Sequence, residues 1–195
     1  MTEQPVLAGL QVLESSLLGP GLVGTFLSDL GADVVKVESP TGDYIRKMTW
    51  PIIDGTSLLH LHTHRGKRSV AIDLKTPEGA DLYRELARRA DVVIEAMRPG
   101  TLARLGLGPD KLRNDNERLV FCTVSGYGAT GPYRDLPSHG IAYDTWAGLI
   151  EPVVDDEGFS RIPPLPNIGI NVGPMLAALA ILAAVVNARE TGRGR

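Results

Sequence analysis

The chain has 195 residues, 43% of them hydrophobic and 22% charged, with a formal net charge of −3 and a pI near 5.8. That length suits one substantial core, or one domain plus a fragment of another, since domains usually run to about 100 to 200 residues. The small acidic excess excludes a dedicated nucleic-acid binder, which needs a basic surplus to neutralise phosphates, and the single cysteine, Cys122, forms no internal disulfide and suits a reducing, cytoplasmic compartment.

The start of the chain lacks the basic, apolar and small-residue succession of a signal peptide. Leu10 to Leu13 reads as a strand, the apolar segment from Gly19 to Leu30 as a helix stopped by Gly31, and Val34 to Val37 as a second strand. A second unit repeats the pattern: Ser69 to Leu74 as strand, a helix opened by Pro77 and running to about Arg89, and Asp91 to Glu95 as strand. Leu119 to Val124 is a further strand-like run, with Cys122 as a buried structural thiol. Strands that alternate with helices and lack hairpin turns imply right-handed crossovers and a parallel α/β sheet covered on both faces. In such sheets ligands bind beyond the carboxyl ends of the strands, which singles out the loops after Leu13, Val37, Leu74, Glu95 and Val124. Near the end, Pro163 to Val172 reads as a proline-broken extended run that turns at Gly173 into a wholly apolar, buried helix. Its apolar run from Pro174 to Val186 falls short of the ~20 residues needed to cross a bilayer.

Several stretches carry possible chemistry. Gly19-Pro-Gly-Leu-Val-Gly24 imitates a dinucleotide fingerprint, but the acid that should hold a ribose lies about 20 residues on in that fingerprint. Here Glu38 follows Gly24 by 14 residues and Pro20 fixes the turn differently, so a glycine turn for tight packing is the better reading. His60, His62 and His64 alternate; on a strand they would share one face and could approach a metal, yet no cysteine or carboxylate stands beside them in sequence to complete a shell. Arg65, Lys67 and Arg68 surround Gly66 just before a strand and form a local, phosphate-sized anion site. Arg98-Pro-Gly100 follows the strand ending at Glu95, with Arg104 six residues later, a possible diphosphate clamp. Ser125-Gly-Tyr-Gly128 is a strand-end loop whose backbone can approach a ligand. His139 and Asp144 follow, without a serine or cysteine partner for a hydrolase triad.

Taken in order, these words resemble the family III CoA-transferases, the group that includes formyl-CoA and carnitine CoA-transferases and the α-methylacyl-CoA racemases. The matching stretches are Leu27 to Glu38, Arg65 to Gly79, Ala90 to Glu95, Arg98 to Gly100, Arg104 to Gly108, Ser125 to Gly128 with Gly131-Pro132, and the alanine-rich helix Ala177 to Val186. The resemblance implies a Rossmann-like sheet that binds coenzyme A or acyl-CoA as substrate, with Arg65, Lys67, Arg68, Arg98 and Arg104 near its phosphates and no metal or nicotinamide cofactor. It implies residues 1–188 as the N-terminal part of the family's large domain and 189–195 as a truncated linker, without the small domain and the C-terminal return.

Transferases of this family use an aspartate just before the alanine-rich helix as a covalent nucleophile. Counted back from Ile181, that position is Ile170, and an alkyl side chain forms no anhydride. The racemases pair a histidine with an acid as two bases; Ser138-His-Gly140 places His139 on the histidine and Gly140 on the aspartate after it. The expectation is a CoA-transferase-type part of a homodimer or hetero-oligomer, completed by a second chain of the family and acting on a small carboxylic acid, with no nucleic acid or membrane involved. A non-catalytic CoA-binding subunit and a racemase-like protein stand as alternatives.

Overall fold

The computed structural model describes residues 4–137, 139–162 and 168–195. Its centre is a parallel sheet of β1 (Gln11–Ser15), β2 (Asp33–Glu38), β5 (Arg68–Ala71), β6 (Val92–Glu95) and β7 (Val120–Thr123), in the order β5-β2-β1-β6-β7. Registers such as Leu13 opposite Val35 and Val93, and Val93 opposite Phe121, keep the strands level. Helix α1 (Gly21–Asp29) follows β1, and α3 (Pro77–Arg89) joins β5 to β6. Between β2 and β5 lie a 3-10 turn (Tyr44–Lys47), the short hairpin β3 (Ile52–Ile53) and β4 (Thr56–Ser57), and α2 (Leu58–His64). After β6 come α4 (Thr101–Arg104) and α5 (Pro109–Asp115). After β7 come α6 (Gly140–Trp146), the hairpin β8 (Val153–Val154) and β9 (Ser160–Arg161), and α7 (Ile168–Thr191).

Side chains alternate across a strand, so a sheet with both faces covered needs apolar residues at every position. Val12, Val34, Val92 and Ile94 face α1 and α7, where they pack with Val23, Leu27, Ile181 and Val185. Leu13, Val37 and Val93 face the other way, toward Tyr83 and Ala87 of α3, Leu102 of α4 and Leu112 of α5. Helix α3 has the expected bounds because local signals agree. The Thr76 hydroxyl accepts from the Gly79 amide at 3.1 Å, Pro77 occupies the first turn, and Arg88 and Arg89 meet the negative dipole end.

Three expectations change. Residues 58–64 are helix, not strand: the Ser57 hydroxyl accepts from the His60 amide at 3.1 Å and caps α2. Helix α7 begins at Ile168 rather than at Gly173, and Pro174 lies inside it, where it cannot donate to the Ile170 carbonyl one turn back; residues 163–167 of the extended approach lie outside the described residues. Nor is α7 wholly buried. Ala178, Ile181, Val185 and Ala188 pack on the sheet and α1, whereas Leu176, Leu179 and Val186 are more than half exposed. With 24 residues, and a mean hydropathy of 2.1 over an 18-residue stretch of it, α7 is also long and apolar enough, by length and composition alone, to cross a bilayer. Helix persists through Thr191, after which the Arg195 carbonyl accepts from the Phe121 amide at 2.9 Å along the free edge of β7.

Candidate functional site

The glycine-rich turn after β1 is shaped by packing. A Cβ on Gly24 would collide with the Glu14 carboxylate, one on Gly21 would stand 2.5 Å from the His64 ring, and one on Gly19 would stand 2.8 Å from Ile170 Cγ2. Each glycine therefore has a steric partner within the protein, as the glycine-turn reading expects. A Cβ on Gly140 would likewise collide with Ile170 Cδ1. Ile170 is thus wedged between the turn after β1 and the start of α6, at the carboxyl edge of the sheet.

Acid and base around that position are unequally available. His139 is exposed and stands at the N-cap of α6 without a side-chain cap bond. Asp144, one helical turn farther along α6, is 1% exposed. Its Oδ1 accepts from the Gly169 amide at 2.7 Å, in the first turn of α7, while its Oδ2 has no hydrogen-bond partner among the described residues. This enclosed carboxylate ties α6 to the first turn of α7. Sequence reasoning singled out Asp144 without this role, because the bond spans 25 residues.

The loop after β6 carries the two expected arginines. Arg98 and Arg104 are exposed, and among the described residues Arg98 has no ion-pair partner. Gly100, at φ +78°, turns the chain into α4, and a Cβ there would lie 3.5 Å from Arg104 Nη1, so that guanidinium folds back toward the Arg98 loop. Beside it is a cleft of about 270 Å³ lined by Glu95, Gly100, Phe121, Thr123, Ala129 and Arg134. Burial raises Glu95 above the usual carboxylate range, although the bond from Thr123 and the Met97 amide at 2.9 Å oppose this. Arg134 carried no sequence signal. Burial, together with the Glu95 charge, pushes the Cys122 thiol up to about 11, in keeping with a structural role. Tyr127 stands edge-on to Tyr143 at 5.3 Å and to Trp146 at 6.0 Å, and Tyr133 to Trp146 at 5.3 Å, an aromatic wall behind the Ser125-Gly-Tyr-Gly loop.

The basic turn does not converge. Arg65 pairs with Asp29 at the end of α1, and Arg68 with Asp33 at the start of β2, both at the amino edge of the sheet and away from Arg98. Lys67 points inward, with its ammonium 2.5 Å from Glu14 Oε2 and 2.5 Å from the Gly21 carbonyl, and its side chain is 1% exposed. Non-local carboxylates, invisible in the local spacing, thus divide three cations that the sequence groups together.

The histidines divide as well. Helical spacing turns His60 and His64 inward and leaves His62 exposed. Possible ligand atoms of Asp43, His60 and His64 lie within 4.8 Å of one another. The donor set does not suit a metal. Lys67 Nζ is 3.1 Å from His64 Nδ1, and an ammonium only donates, so Nδ1 accepts and the hydrogen sits on Nε2, 3.3 Å from Asp43 Oδ2. Lys36 Nζ, 2.7 Å from the same Oδ2, adds a second cation where a metal would stand. That ammonium is poorly aligned for a hydrogen bond, so the pairing is Coulombic. Burial, with the Lys36 and Lys67 charges, holds His64 down at about 4 against the pull of the Asp43 carboxylate, whose Oδ2 stands near Nε2 without a well-aligned hydrogen bond, so the ring is neutral near pH 7. Burial alone would raise Glu38, but bonds from Arg46, Ser69 and the Asp43 amide bring it down to about 2.

Comparison with known proteins extends these observations. Residues 7–195 match the CoA-transferase family III. The β subunit of succinyl-CoA–L-malate CoA-transferase from Chloroflexus aurantiacus is 36% identical over 191 residues, which are 97% of this chain and 47% of that protein. Human α-methylacyl-CoA racemase is 35% identical over 191 residues, 97% of this chain and 46% of that protein. The crystal structure of a CAIB/BAIF family protein from Brucella suis superposes with a TM-score of 0.90 at 34% identity, covering 99% of this chain and 52% of that one. The chain spans about half the length of the curated relatives it matches.

Proposed function

Because the chain belongs to the CoA-transferase family III, we propose that it binds CoA or acyl-CoA at the carboxyl edge of its sheet, as one part of an enzyme that moves CoA between carboxylic acids. The exposed Arg98 and the folded-back Arg104 support this reading, since two guanidinium groups beside a cleft suit the phosphates of CoA. Lys67, Arg65 and Arg68 are better read as structural ion pairs than as phosphate contacts.

The observation that carries the rest is Ile170 lodged between Gly19 and Gly140, at the carboxyl edge of the sheet. A covalent route needs a carboxylate that attacks the thioester carbonyl and releases CoA as its thiolate. Isoleucine cannot do this and Asp144 is enclosed, so the acid comes from outside residues 1–195. A second copy of residues 1–195 would bring only another isoleucine to the equivalent position, whereas a chain of the family that carries the aspartate would complete the site. Residues 1–188 then serve as the CoA-binding part of the large domain, in a cytoplasmic setting that leaves the Cys122 thiol reduced. A non-catalytic CoA-binding subunit is the second reading, which the same isoleucine favours.

Hydroxylamine trapping separates the two. Incubation with acyl-CoA should yield a trapped adduct only when a second, aspartate-bearing family chain is present, and that adduct should lie on the second chain. An adduct on this chain alone would contradict the account, and no adduct on either chain, with CoA still bound, would leave the non-catalytic reading.

A further inference from the structure

We infer that His64 is a positioning residue for the carboxyl edge: it couples two buried ion pairs that clamp both ends of the loop between β1 and α1, and so sets where Gly19 meets Ile170. Calling that edge the ligand site rests on the function proposed above; the clamp itself does not.

The contacts close on themselves. The Ser16 hydroxyl donates to Glu14 Oε1, and Glu14 Oε2 takes the Lys67 ammonium. Lys67 also approaches His64 Nδ1, His64 Nε2 faces Asp43 Oδ2, and Asp43 Oδ2 pairs with Lys36. Lys36 then donates at 2.7 Å to the Ser16 carbonyl, where the ring began. The side chains of Glu14, Lys36, Asp43, His64 and Lys67 are all 3% exposed or less. Two carboxylates and two ammonium groups cancel, so the ring stays neutral only while His64 carries no charge. Buried charges persist when paired and hydrogen-bonded; the imidazole is the one side chain that touches both pairs, whereas Ser16 meets them through its hydroxyl and its backbone carbonyl.

The ring holds the loop at two points. At the start of the loop, Ser16 is bound through both hydroxyl and carbonyl. At its end, the Gly21 carbonyl accepts from Lys67, and Gly21 packs so closely on the His64 ring that no Cβ would fit without displacing it. Between these points lies Gly19, whose missing Cβ leaves room for Ile170. Displacing either clamp moves the surface against which position 170 packs, with no change at position 170 itself.

The role makes specific demands. Asparagine offers a donor and an acceptor in place of Nε2–H and Nδ1, whereas leucine fills similar volume and offers neither. In the wild-type chain, nitrogen-resolved NMR should show His64 as the Nε2–H tautomer. The Gly19 amide and the Ile170 δ1-methyl resonances should shift in His64→Leu and hold their positions in His64→Asn. CoA affinity should fall roughly tenfold in the leucine variant and less than roughly threefold in the asparagine variant, as expected when preorganisation is lost or kept. If His64→Leu does not fold, Ser16→Ala, which cuts one tie to the loop, should still shift the Gly19 amide. An Nδ1–H tautomer, or Gly19 and Ile170 resonances unmoved in a folded His64→Leu or Ser16→Ala chain, would overturn the clamp. Failure of the wild-type chain to bind CoA, both alone and with a second family chain, would instead overturn the proposed function, and the Gly19 and Ile170 shifts would still decide the clamp.

Discussion

Mild acid should destabilise this protein well before its paired carboxylates titrate, and His64 should be the main cause. In the unfolded chain the imidazole takes up a proton near pH 6.5; in the fold it resists until about 4. Between these values the unfolded state binds more protons, so stability falls as pH falls, and nothing is lost above 6.5. With the side chain 3% exposed, solvent screening is slight. A shift from 6.5 to about 4 costs ~3 kcal/mol when complete and ~2 kcal/mol between pH 7 and pH 5. Glu38 acts in a lower window. Its folded value is depressed from 4.5 to about 2, so its contribution is intact above 4.5 and lost only as pH drops through 2. His60, also held below its ordinary value by burial, acts in the same direction as His64. Urea unfolding at stepped pH, on wild type and His64→Asn in parallel, isolates the His64 contribution. The wild-type curve should slope by ~2 kcal/mol more than the variant over that interval; equal slopes would rule out His64 as the cause.

Three further outcomes follow from the packing. Gly24→Ala gains ~1 kcal/mol of helix propensity but drives a methyl into the held Glu14 carboxylate, so chemical denaturation should show a net loss of ~1–2 kcal/mol. Tyr83→Phe removes a buried hydroxyl 3.2 Å from Ser15 Oγ and leaves that partner one bond short, and its midpoint in urea should fall by an amount equivalent to ~1 kcal/mol. Cys122, half-buried and pushed up to about 11, should react with iodoacetamide at pH 8 far more slowly than the same thiol in the urea-unfolded chain.

The strands of the central sheet were legible because a doubly covered parallel sheet demands continuous apolar runs, and α3 because cap, proline and terminal charges agree on its ends. The histidine tract misled because His60, His62 and His64 fit period two, while His60 and His64 alone fit one helical turn; Ser57 as a cap was the signal that decided it. Gly173-Pro174 resembled a helix start, and nothing local shows that packing of Ile168 to Val172 extends the helix past a proline. Glu14 and Lys36, charged residues inside apolar strand runs, were a visible sign of a buried polar ring. Their partners, 53 positions away for Lys67 and Glu14, were not. The same distance effect hid the pairing of Arg65 and Arg68 with Asp29 and Asp33.

A CoA site at the carboxyl edge should be visible in calorimetric titration of CoA into the wild-type chain and into Arg98→Ala/Arg104→Ala, alone and with a second family chain. One CoA should bind per chain, and loss of two charge-assisted contacts should weaken it by at least roughly tenfold. Absence of CoA binding in every combination, or equal affinity in the double variant, would contradict it.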